Sequence, residues 1–329
     1  MRSPALRVTS LAVAVLALSA CSGTVDKAGT DGSDQAVSRL QIMAPADPGG
    51  GWDLTARAMS SSLEDAKIAK ATTVTNVPGA GGTIGLAQLG NEKSEDYLMV
   101  MGLVMIGAIE TSQSPVTLDD VTPIARLTAE DEVIVVPADS PYKTIKDLGD
   151  DLKARGRKVA IAGGSAGGTD HIVAGLLTKA AGASPADLNY VAFSGGGESL
   201  AALLGNKVAA GISGVSEYAE QIKAGKLRAL AVAGPQRVDG VDAPTLKEGG
   251  YDVELTNWRG VVAPKGLSKD ATDRLVEAMT QMHDSPAWKK ALATNGWSDT
   301  FLTGDKFATF IKDEETTTST VLTDLGLVS

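Results

Sequence analysis

Four glycine-rich segments constrain the fold of this chain more than any other feature of its sequence. They read PGGGWD at 48–53, PGAGGTIG at 78–85, GGSAGGTDH at 163–171 and SGGGES at 194–199. Each follows an apolar, strand-like run and precedes a helix-like run. Glycine at such a junction lets backbone N–H groups converge beside a helix N-terminus, where the helix dipole favours negative charge. The repeated strand–turn–helix unit predicts mainly parallel sheets covered by helices, with the turns at one binding edge.

The composition agrees with an α/β fold. The chain has 329 residues, 43% of them hydrophobic but only 4% aromatic, together with 37 glycines. A chain of this length can bury a large core without disulfides, and a core of small aliphatic side chains suits layers of helix and sheet. The hydrophobic periodicity predicts helices over 52–66, 83–91, 144–155, 170–181, 197–205, 216–224, 268–283, 285–294 and 304–320.

The number of strand candidates exceeds what one twisted sheet comfortably holds, so we expect two lobes. The segments VIVVPADSP and WRGVVAPKG are extended and end in proline-containing turns, as expected of two crossings between lobes. The predicted division is lobe 1 over 38–138 plus 258–329 and lobe 2 over 139–257. A cleft between two lobes is a common place for a small ligand.

The N-terminus indicates export and a lipid anchor. Arg2 and Arg7 precede the apolar run LAVAVLALSA, which is too short to span a membrane but suits a secretory signal. The run ends in LSAC, which resembles the cleavage motif of bacterial lipoproteins. We therefore expect removal of residues 1–20, lipidation of Cys21, and a flexible tether over 21–37. The predicted location is extracytoplasmic, on the cell membrane.

Charge and motif spacing exclude several classes of ligand. Loss of residues 1–20 takes away two arginines and no acid, which moves the net charge from −10 to −12 and argues against nucleic acid. No glycine-rich segment has the lysine of a phosphate-binding loop, and Ile84 stands where a dinucleotide-binding turn needs its third glycine. We expect no cofactor and no metal. A smaller anion such as a carboxylate fits better.

The same residues carry a family resemblance. The stretch 44–53, with Arg57, and the stretch 76–85 resemble the paired signature of Bug/TctC-type solute receptors, which serve tripartite tricarboxylate transporters. The likeness continues through 163–171, 190–197, 223–231 and 258–264 and covers nearly the whole exported chain. It departs at Glu95-Asp96-Tyr97, where the family has Asp-Gly-Tyr, and at 102–113, which is shorter and more apolar than usual. These departures concern the identity of the ligand more than the fold.

The resemblance implies a monomeric, non-enzymatic receptor with a type II periplasmic-binding-protein fold. Its ligand would be a small carboxylated solute, commonly a di- or tricarboxylate and sometimes an aromatic or amino acid, and its partner the membrane permease. In such receptors the loops matching 46–53 and 164–169 grip one carboxylate from opposite lobes. The predicted ligand-binding residues are Asp47, Gly49, Gly50, Gly51, Trp52, Gly81, Gly164, Ser165, Ala166, Gly167, Thr169, His171, Ser194, Gly195, Ser213 and Gly214.

Some alternatives stay open at this level. Asp53 and Arg57 are spaced for a salt bridge on one helix face rather than for contact with an anion. A structural hydrogen bond explains His171 at least as well as contact with a ligand does. Trp52 fits packing at the hinge as well as a place in the cleft wall, and Trp258 fits hinge packing at the second crossing better than stacking on a ligand. Ser165 could suggest a hydrolase nucleophile, but its histidine would have to be His283. A receptor that signals to a sensor kinase would use the same ligand site.

Overall fold

The computed structural model of the protein describes Val37 and residues 39–328. The predicted signal peptide, Cys21 and all but the last residue of the predicted tether lie outside these described residues. Val37 itself is buried and forms an isolated bridge with Ala69. Across the described range, none of the helices combines the length and the apolar character needed to cross a bilayer.

Strands and helices alternate through the described part, as the sequence predicts. The strands are β1 (Leu40–Ala44), β2 (Thr72–Asn76), β3 (Tyr97–Gly102), β4 (Val121–Pro137), β5 (Ala160–Gly163), β6 (Asn189–Ala192), β7 (Ala210–Gly214), β8 (Leu227–Val232), β9 (Thr256–Pro264) and β10 (Ser298–Thr303). The helices are α1 (Gly51–Asp65), α2 (Thr83–Leu89), α3 (Leu103–Ser112), α4 (Ile145–Arg155), α5 (Thr169–Ala180), α6 (Gly196–Leu204), α7 (Val215–Lys223), α8 (Lys269–Asp284), α9 (Pro286–Asn295) and α10 (Gly304–Asp324). The predicted helices are confirmed, and each begins within one residue of its predicted start.

The strands form two sheets that share β4. In the first, β2, β1 and β3 run parallel, while β9, β4 and β10 continue the sheet with antiparallel pairs. In the second, β6, β5 and β7 run parallel, and β4 lies antiparallel to both β7 and β8. The predicted two-lobed α/β fold is confirmed. The sheets are mixed rather than mainly parallel, because the two long strands β4 and β9 run against their neighbours.

The strand β4 carries the chain from one lobe to the other. Its residues Val121 to Asp131 pair with β9, whereas Glu132 to Pro137 pair with β7 and β8. The domain boundaries drawn from the sequence stay a prediction. We propose to move the first one from 138/139 to 131/132, where the hydrogen-bonding partners of β4 change.

Successive side chains of β4 point to opposite faces of the second sheet and contribute to the hydrophobic core on each face. Ile134 and Val136 belong to one buried cluster, and Val133 and Val135 to another. All four are fully buried, as the period of two in a strand requires when both faces are covered by helices. Full burial of such a side chain contributes about 1.5–3 kcal/mol. The interpretation of EVIVV as a buried strand is confirmed.

The apolar segment 102–113 contains α3 (Leu103–Ser112), an element that the sequence analysis did not assign. Leu103, Met105 and Ile106 are buried in lobe 1. A helix that is apolar all round has no polar face, so its sequence lacks the 3.6-residue alternation that reveals a surface helix. The position of α3 places Gly107 directly against the 163–168 turn of lobe 2.

Candidate functional site

A cavity of about 70 Å³ lies between the two lobes, where the four glycine-rich turns meet. This space suits several water-sized groups, and hence a small organic molecule. Its lining residues are Pro45, Ala46, Gly50, Gly51, Trp52, Gly79, Gly81, Gly82, Val104, Gly164, Ser165, Gly168, Thr169, Asp170, Ser194, Gly195, Gly196, Ser213, Glu217, Asn257 and Arg259.

Most of the predicted ligand-binding residues lie on this cavity. Those that line it are Gly50, Gly51, Trp52, Gly81, Gly164, Ser165, Thr169, Ser194, Gly195 and Ser213. The sequence left two positions possible for Trp52, the wall of the cleft and the hinge, and the structure places it in the wall of the cavity. The sequence therefore predicted all four turns correctly as neighbours in space, although they are spread over 150 residues.

The other six predicted residues are Asp47, Gly49, Ala166, Gly167, His171 and Gly214, and they do not line the cavity. Local hydrogen bonds engage several of them. The N–H of Gly49 donates to Asp53 (2.8 Å), and the carbonyl of Asp47 accepts from Gly50. The N–H of Gly167 donates to Nδ1 of His171 (3.1 Å). These contacts shape the turns rather than face the cavity.

Asp53 supports the start of α1. It is 2% exposed and accepts hydrogen bonds from Arg57 (2.9 Å) and from the side chain of Asn76 (2.9 Å), besides Gly49. Burial raises the pKa of Asp53, but the hydrogen bonds from Arg57, Gly49 and Asn76 outweigh it and leave the pKa below its ordinary value. The residue is thus a charged helix-start support, as its spacing from Arg57 predicts.

The helices that begin at the cavity are capped by glycine. Gly50, Gly168 and Gly195 precede α1, α5 and α6, and none offers a side chain to the free N–H groups of the first turn. In lobe 2, acidic side chains accept hydrogen bonds from backbone N–H groups at two of the turns. Asp170 accepts from the N–H of Gly164 (2.6 Å), and Glu217 accepts from the N–H of Gly196 (2.9 Å).

In lobe 1 the first N–H groups of α1 stay available. Within the described residues, the N–H groups of Gly51 and Trp52 have no acceptor. Gly51 also has to be glycine for space: a Cβ there would lie 2.5 Å from Nη2 of Arg259 and 3.2 Å from Oε1 of Glu217. The backbone at Gly51 can therefore approach both a cation and an acid across the cleft.

A buried arginine lies at the floor of the cavity. Arg259, on β9, is 1% exposed and forms an ion pair with the buried Glu130. Glu130 also accepts from the N–H of Ser216 (2.6 Å). The guanidinium lies over Trp297, at 5.4 Å from the ring centroid. The ion pair joins β4 to β9 next to the point where β4 changes lobes.

Three further carboxyl groups surround this pair: Glu132, Asp170 and Glu217. Burial raises the pKa of Asp170 to about 6 and that of Glu217 to about 7. Burial, followed by repulsion from Asp170, raises the pKa of Glu132 well above its ordinary value. One arginine therefore faces four acids, in a region where charge is poorly solvated.

Several polar atoms at the cavity lack partners among the described residues. Nε and Nη1 of Arg259, Oδ1 of Asn257 and Oγ1 of Thr169 are buried and make no hydrogen bond there, although all three residues line the cavity. Glu132, which is fully buried, is excluded from this set, because its protonated carboxyl group can donate to Asp170. Buried polar atoms are normally satisfied, so these indicate a bound molecule or water.

Sequence reasoning missed Arg259, Asn257 and the acids. A signal was present: Glu130-Asp131-Glu132 opens the buried run EVIVV, and Arg259 interrupts the apolar strand of β9. Charged residues inside a buried strand are rare unless they are paired. The pairing partner could not be read from the sequence, because 129 residues separate Glu130 from Arg259.

The histidines and Trp258 have structural roles. The ring of His171 stacks on Tyr190, with 4.1 Å between centroids, and burial lowers the pKa of His171 to about 4. Trp258 donates to Glu314 (2.7 Å) and packs edge-on against the C-terminal helix α10. His283 contacts Asp299 and stacks on Phe301. Neither histidine lines the cavity, so no imidazole faces Ser165 there.

We expect the free energy of unfolding to fall as the pH rises from about 5 to about 7.5. Asp170 and Glu217 hold protons in the folded state that the unfolded chain, with pKa values near 4, has already released. Their stabilising contribution is complete below about pH 4 and is lost as the pH passes through 6 to 7, by roughly 1.4 kcal/mol per unit of pKa difference. Asp53 has a lowered pKa and opposes this trend only at more acidic pH.

Urea denaturation at the two pH values measures this effect. Glu217→Gln should flatten the dependence, because the amide does not titrate. Glu220→Gln, the same change at an exposed position of α7, is the matched control. A wild-type stability that rises toward pH 7.5 would contradict the assignment of raised pKa values.

Comparison with known proteins places this geometry in a family. The TctC family profile, described as the tripartite tricarboxylate transporter family receptor, matches residues 55–327. BugT of Bordetella pertussis is 29% identical over 286 residues, covering 84% of this chain and 85% of BugT. The periplasmic binding protein BugD has a TM-score of 0.78 at 25% identity, covering 88% of this chain and 98% of BugD.

A second solved structure shares the fold. MatC from Rhodopseudomonas palustris, solved with bound malate, has a TM-score of 0.75 at 21% identity, covering 86% of this chain and 99% of MatC. The profile match extends over most of the chain and includes the cavity-lining residues from Gly79 to Arg259. The chain belongs to the TctC family of tripartite tricarboxylate transporter receptors.

Proposed function

We propose that this protein is an extracytoplasmic receptor that captures a small carboxylate-bearing solute in the interlobe cavity and delivers it to a tripartite tricarboxylate transporter permease. The observation that carries the proposal is the set of unpartnered donors at the cavity. Nε and Nη1 of Arg259 are buried without acceptors among the described residues, and the first N–H groups of α1 are free beside them. A carboxylate accepts from both kinds of donor.

The energetics favour this use of the donors. Each hydrogen bond to a charged group contributes roughly 1.5–3 kcal/mol net. The glycine cap of α1 keeps side chains away from its first N–H groups. The ion pair with Glu130 already fixes the orientation of the buried guanidinium. A ligand carboxylate thus exchanges water for preorganised donors, and no chemical step is required.

Both lobes contribute to the cavity, and this couples binding to closure. Gly51 and Arg259 belong to lobe 1, while Ser165 and Thr169 belong to lobe 2. Since neither lobe alone completes the set of contacts, the ligand binds the closed form more tightly than the open form. The closed form would be the species that the permease recognises.

The relatives and the N-terminal sequence support the remaining parts of the proposal. BugT and BugD, which cover most of this chain, are relatives of the same family, and malate in MatC is an example of a small dicarboxylate on this fold. The lipoprotein-like sequence ending at Cys21 supports an anchor on the membrane, where the permease is located. We propose a monomer with a flexible tether.

A thermal-shift screen tests the ligand class. We expect malate, succinate, adipate, citrate or their amino derivatives to raise the melting temperature, because a ligand at a hundred times its dissociation constant adds about 2.7 kcal/mol of stability. Glucose at the same concentration is the neutral control. If no carboxylate shifts the melting temperature while a neutral sugar does, the proposed function is wrong.

A further inference from the structure

We propose that the receptor takes up a proton together with its anionic solute, and that Oε1 of Glu217 binds this proton beside Arg259. The cavity would then hold two ligands at once, a carboxylate on the guanidinium and a proton on the acid. This inference rests on the proposed function, because the proton is taken up only when the anion binds.

The free donors of the cavity lie next to Glu217. Nε and Nη1 of Arg259 are buried and have no acceptor among the described residues. A Cβ added to Gly51 would lie 2.5 Å from Nη2 of Arg259 and 3.2 Å from Oε1 of Glu217. An anion that accepts from Arg259 and from the N–H of Gly51 is therefore close to the carboxyl group of Glu217.

The balance of charge around Arg259 favours binding of a proton with the anion. One guanidinium faces the carboxyl groups of Glu130, Glu132, Asp170 and Glu217. The ion pair with Glu130 already offsets the charge of Arg259. If the other acids were ionised, the ligand would enter a region that is negative and poorly solvated, where repulsion is strong. Neutralising an acid next to the anion removes that repulsion.

Glu132 and Asp170 already share a proton before a ligand binds. Glu132 is fully buried, and its carboxyl group lies within hydrogen-bonding reach of Asp170. Two ionised carboxylates have only acceptors, so this contact requires a proton on one of them. Oδ2 of Asp170 also accepts from the N–H of Gly164 (2.6 Å). This leaves Glu217 as the acid at the cavity that can gain a proton on binding.

The position of Glu217 suits it to change its protonation state. Oε2 accepts from the N–H of Gly196 (2.9 Å), so Oε1 is the oxygen that faces Gly51 across the cleft. Burial raises the pKa of Glu217 to about 7, and the free protein therefore populates both forms near neutral pH. A protonated Oε1 is a donor, and an O–H group forms a strong hydrogen bond to a carboxylate. Protonation thus converts a repelling neighbour into a further donor.

The other titratable side chains near Glu217 do not compete for this proton. The hydroxyl groups of Tyr218 on α7 and Tyr190 on β6 are hydrogen-bonded within lobe 2. Burial raises the pKa of both tyrosines above the ordinary value, so both stay neutral. Glu130 on β4 is engaged by Arg259 of β9.

Calorimetry of the full exported protein with malate, succinate and adipate tests the inference. At pH 7.5 these probes are ionised, and titrations in HEPES and in Tris, which differ in ionisation enthalpy, give the number of protons exchanged. We expect uptake of between about half a proton and one proton per bound anion. The dissociation constant should be about tenfold larger at pH 8 than at pH 6, because the protonated fraction of Glu217 falls from about nine-tenths to about one-tenth.

Two matched variants assign the proton to its residue. Glu217→Gln should abolish the proton uptake and the pH dependence. It should bind the probes about tenfold more tightly than the wild type at pH 8, since the amide keeps a donor at every pH. Glu220→Gln, the same change at an exposed position one turn along α7, should behave as the wild type does.

The wild-type measurements separate this inference from the proposed function, and they do not depend on the folding of a variant. A dicarboxylate that binds equally well at pH 6 and pH 8, with no proton exchanged, would overturn the inference and leave the receptor function intact. Proton uptake that persists in Glu217→Gln, with a native circular dichroism spectrum, would also overturn it. Failure of every dicarboxylate to bind at either pH would overturn both.

Discussion

Arg259→Met is expected to lower the free energy of unfolding by about 3–5 kcal/mol near pH 7.5, because it removes one partner of a buried ion pair. Glu130, which is 2% exposed, would keep its hydrogen bond from Ser216 but lose its cation. Asp170, Glu132 and Glu217 would lose the positive charge that lowers their pKa values. Binding of any carboxylate should fall below detection in calorimetry.

Two rescues distinguish a charge effect from simple loss of packing. The double variant Arg259→Met, Glu130→Gln should recover part of the stability, since it leaves no unpaired charge from the original pair. A shift of the single variant to about pH 5 should also recover stability, because the raised carboxyl pKa values make the folded form bind protons more tightly than the unfolded form. A double variant less stable than the single one would argue that packing dominates.

Gly107→Ala is expected to weaken ligand binding by about a hundredfold or more without unfolding the protein. Gly107 lies on α3 of lobe 1, and a Cβ there would be 1.9 Å from the carbonyl oxygen of Gly167 in lobe 2. That oxygen belongs to the backbone, so the lobes must separate to relieve the clash. Within α3 itself, alanine should gain about 0.8–1 kcal/mol of helix propensity, which keeps the free protein stable.

Calorimetry and small-angle scattering measure the two consequences of this change. The affinity should drop, and the radius of gyration in saturating ligand should stay at its ligand-free value. Gly90→Ala is the control, because a Cβ there would meet its nearest neighbour at an ordinary 3.6 Å. Unchanged affinity in Gly107→Ala would show that closure to this contact is not needed for binding.

Local features of the sequence predicted much of this molecule. The starts of the helices were recognised because a glycine turn, a cap or a proline stands before each apolar-periodic run. The number of strand candidates and two extended, proline-ended segments led to the two-lobed fold, which the family signature at 44–53 and 76–85 also implied. The four turns were predicted to share one binding edge. These are properties of neighbouring residues or of short motifs, which the chain carries whatever its long-range contacts.

Other features depended on which residues the fold brings together. The N–H group of Gly164, a predicted ligand-binding residue, donates to Asp170, and that of Gly196 in the 194–199 turn donates to Glu217. α3 escaped recognition because it is apolar around most of its circumference and so lacks the amphipathic pattern of a surface helix. The sheets are mixed because β4 and β9 run antiparallel to their neighbours. Hydrophobic periodicity predicts a strand but not the direction in which it pairs.

The sequence by itself therefore determined most of the secondary structure and the four glycine turns, because these follow from short-range backbone preferences and hydrophobic periodicity. Its signature motifs indicated the family. The tertiary structure alone decided the electrostatics of the cavity. Glu130 and Arg259 are distant in the chain and meet only where β4 crosses between the sheets next to β9. Whether a buried acid is paired, hydrogen-bonded or free depends on such contacts, and these decide whether it is charged in the folded protein.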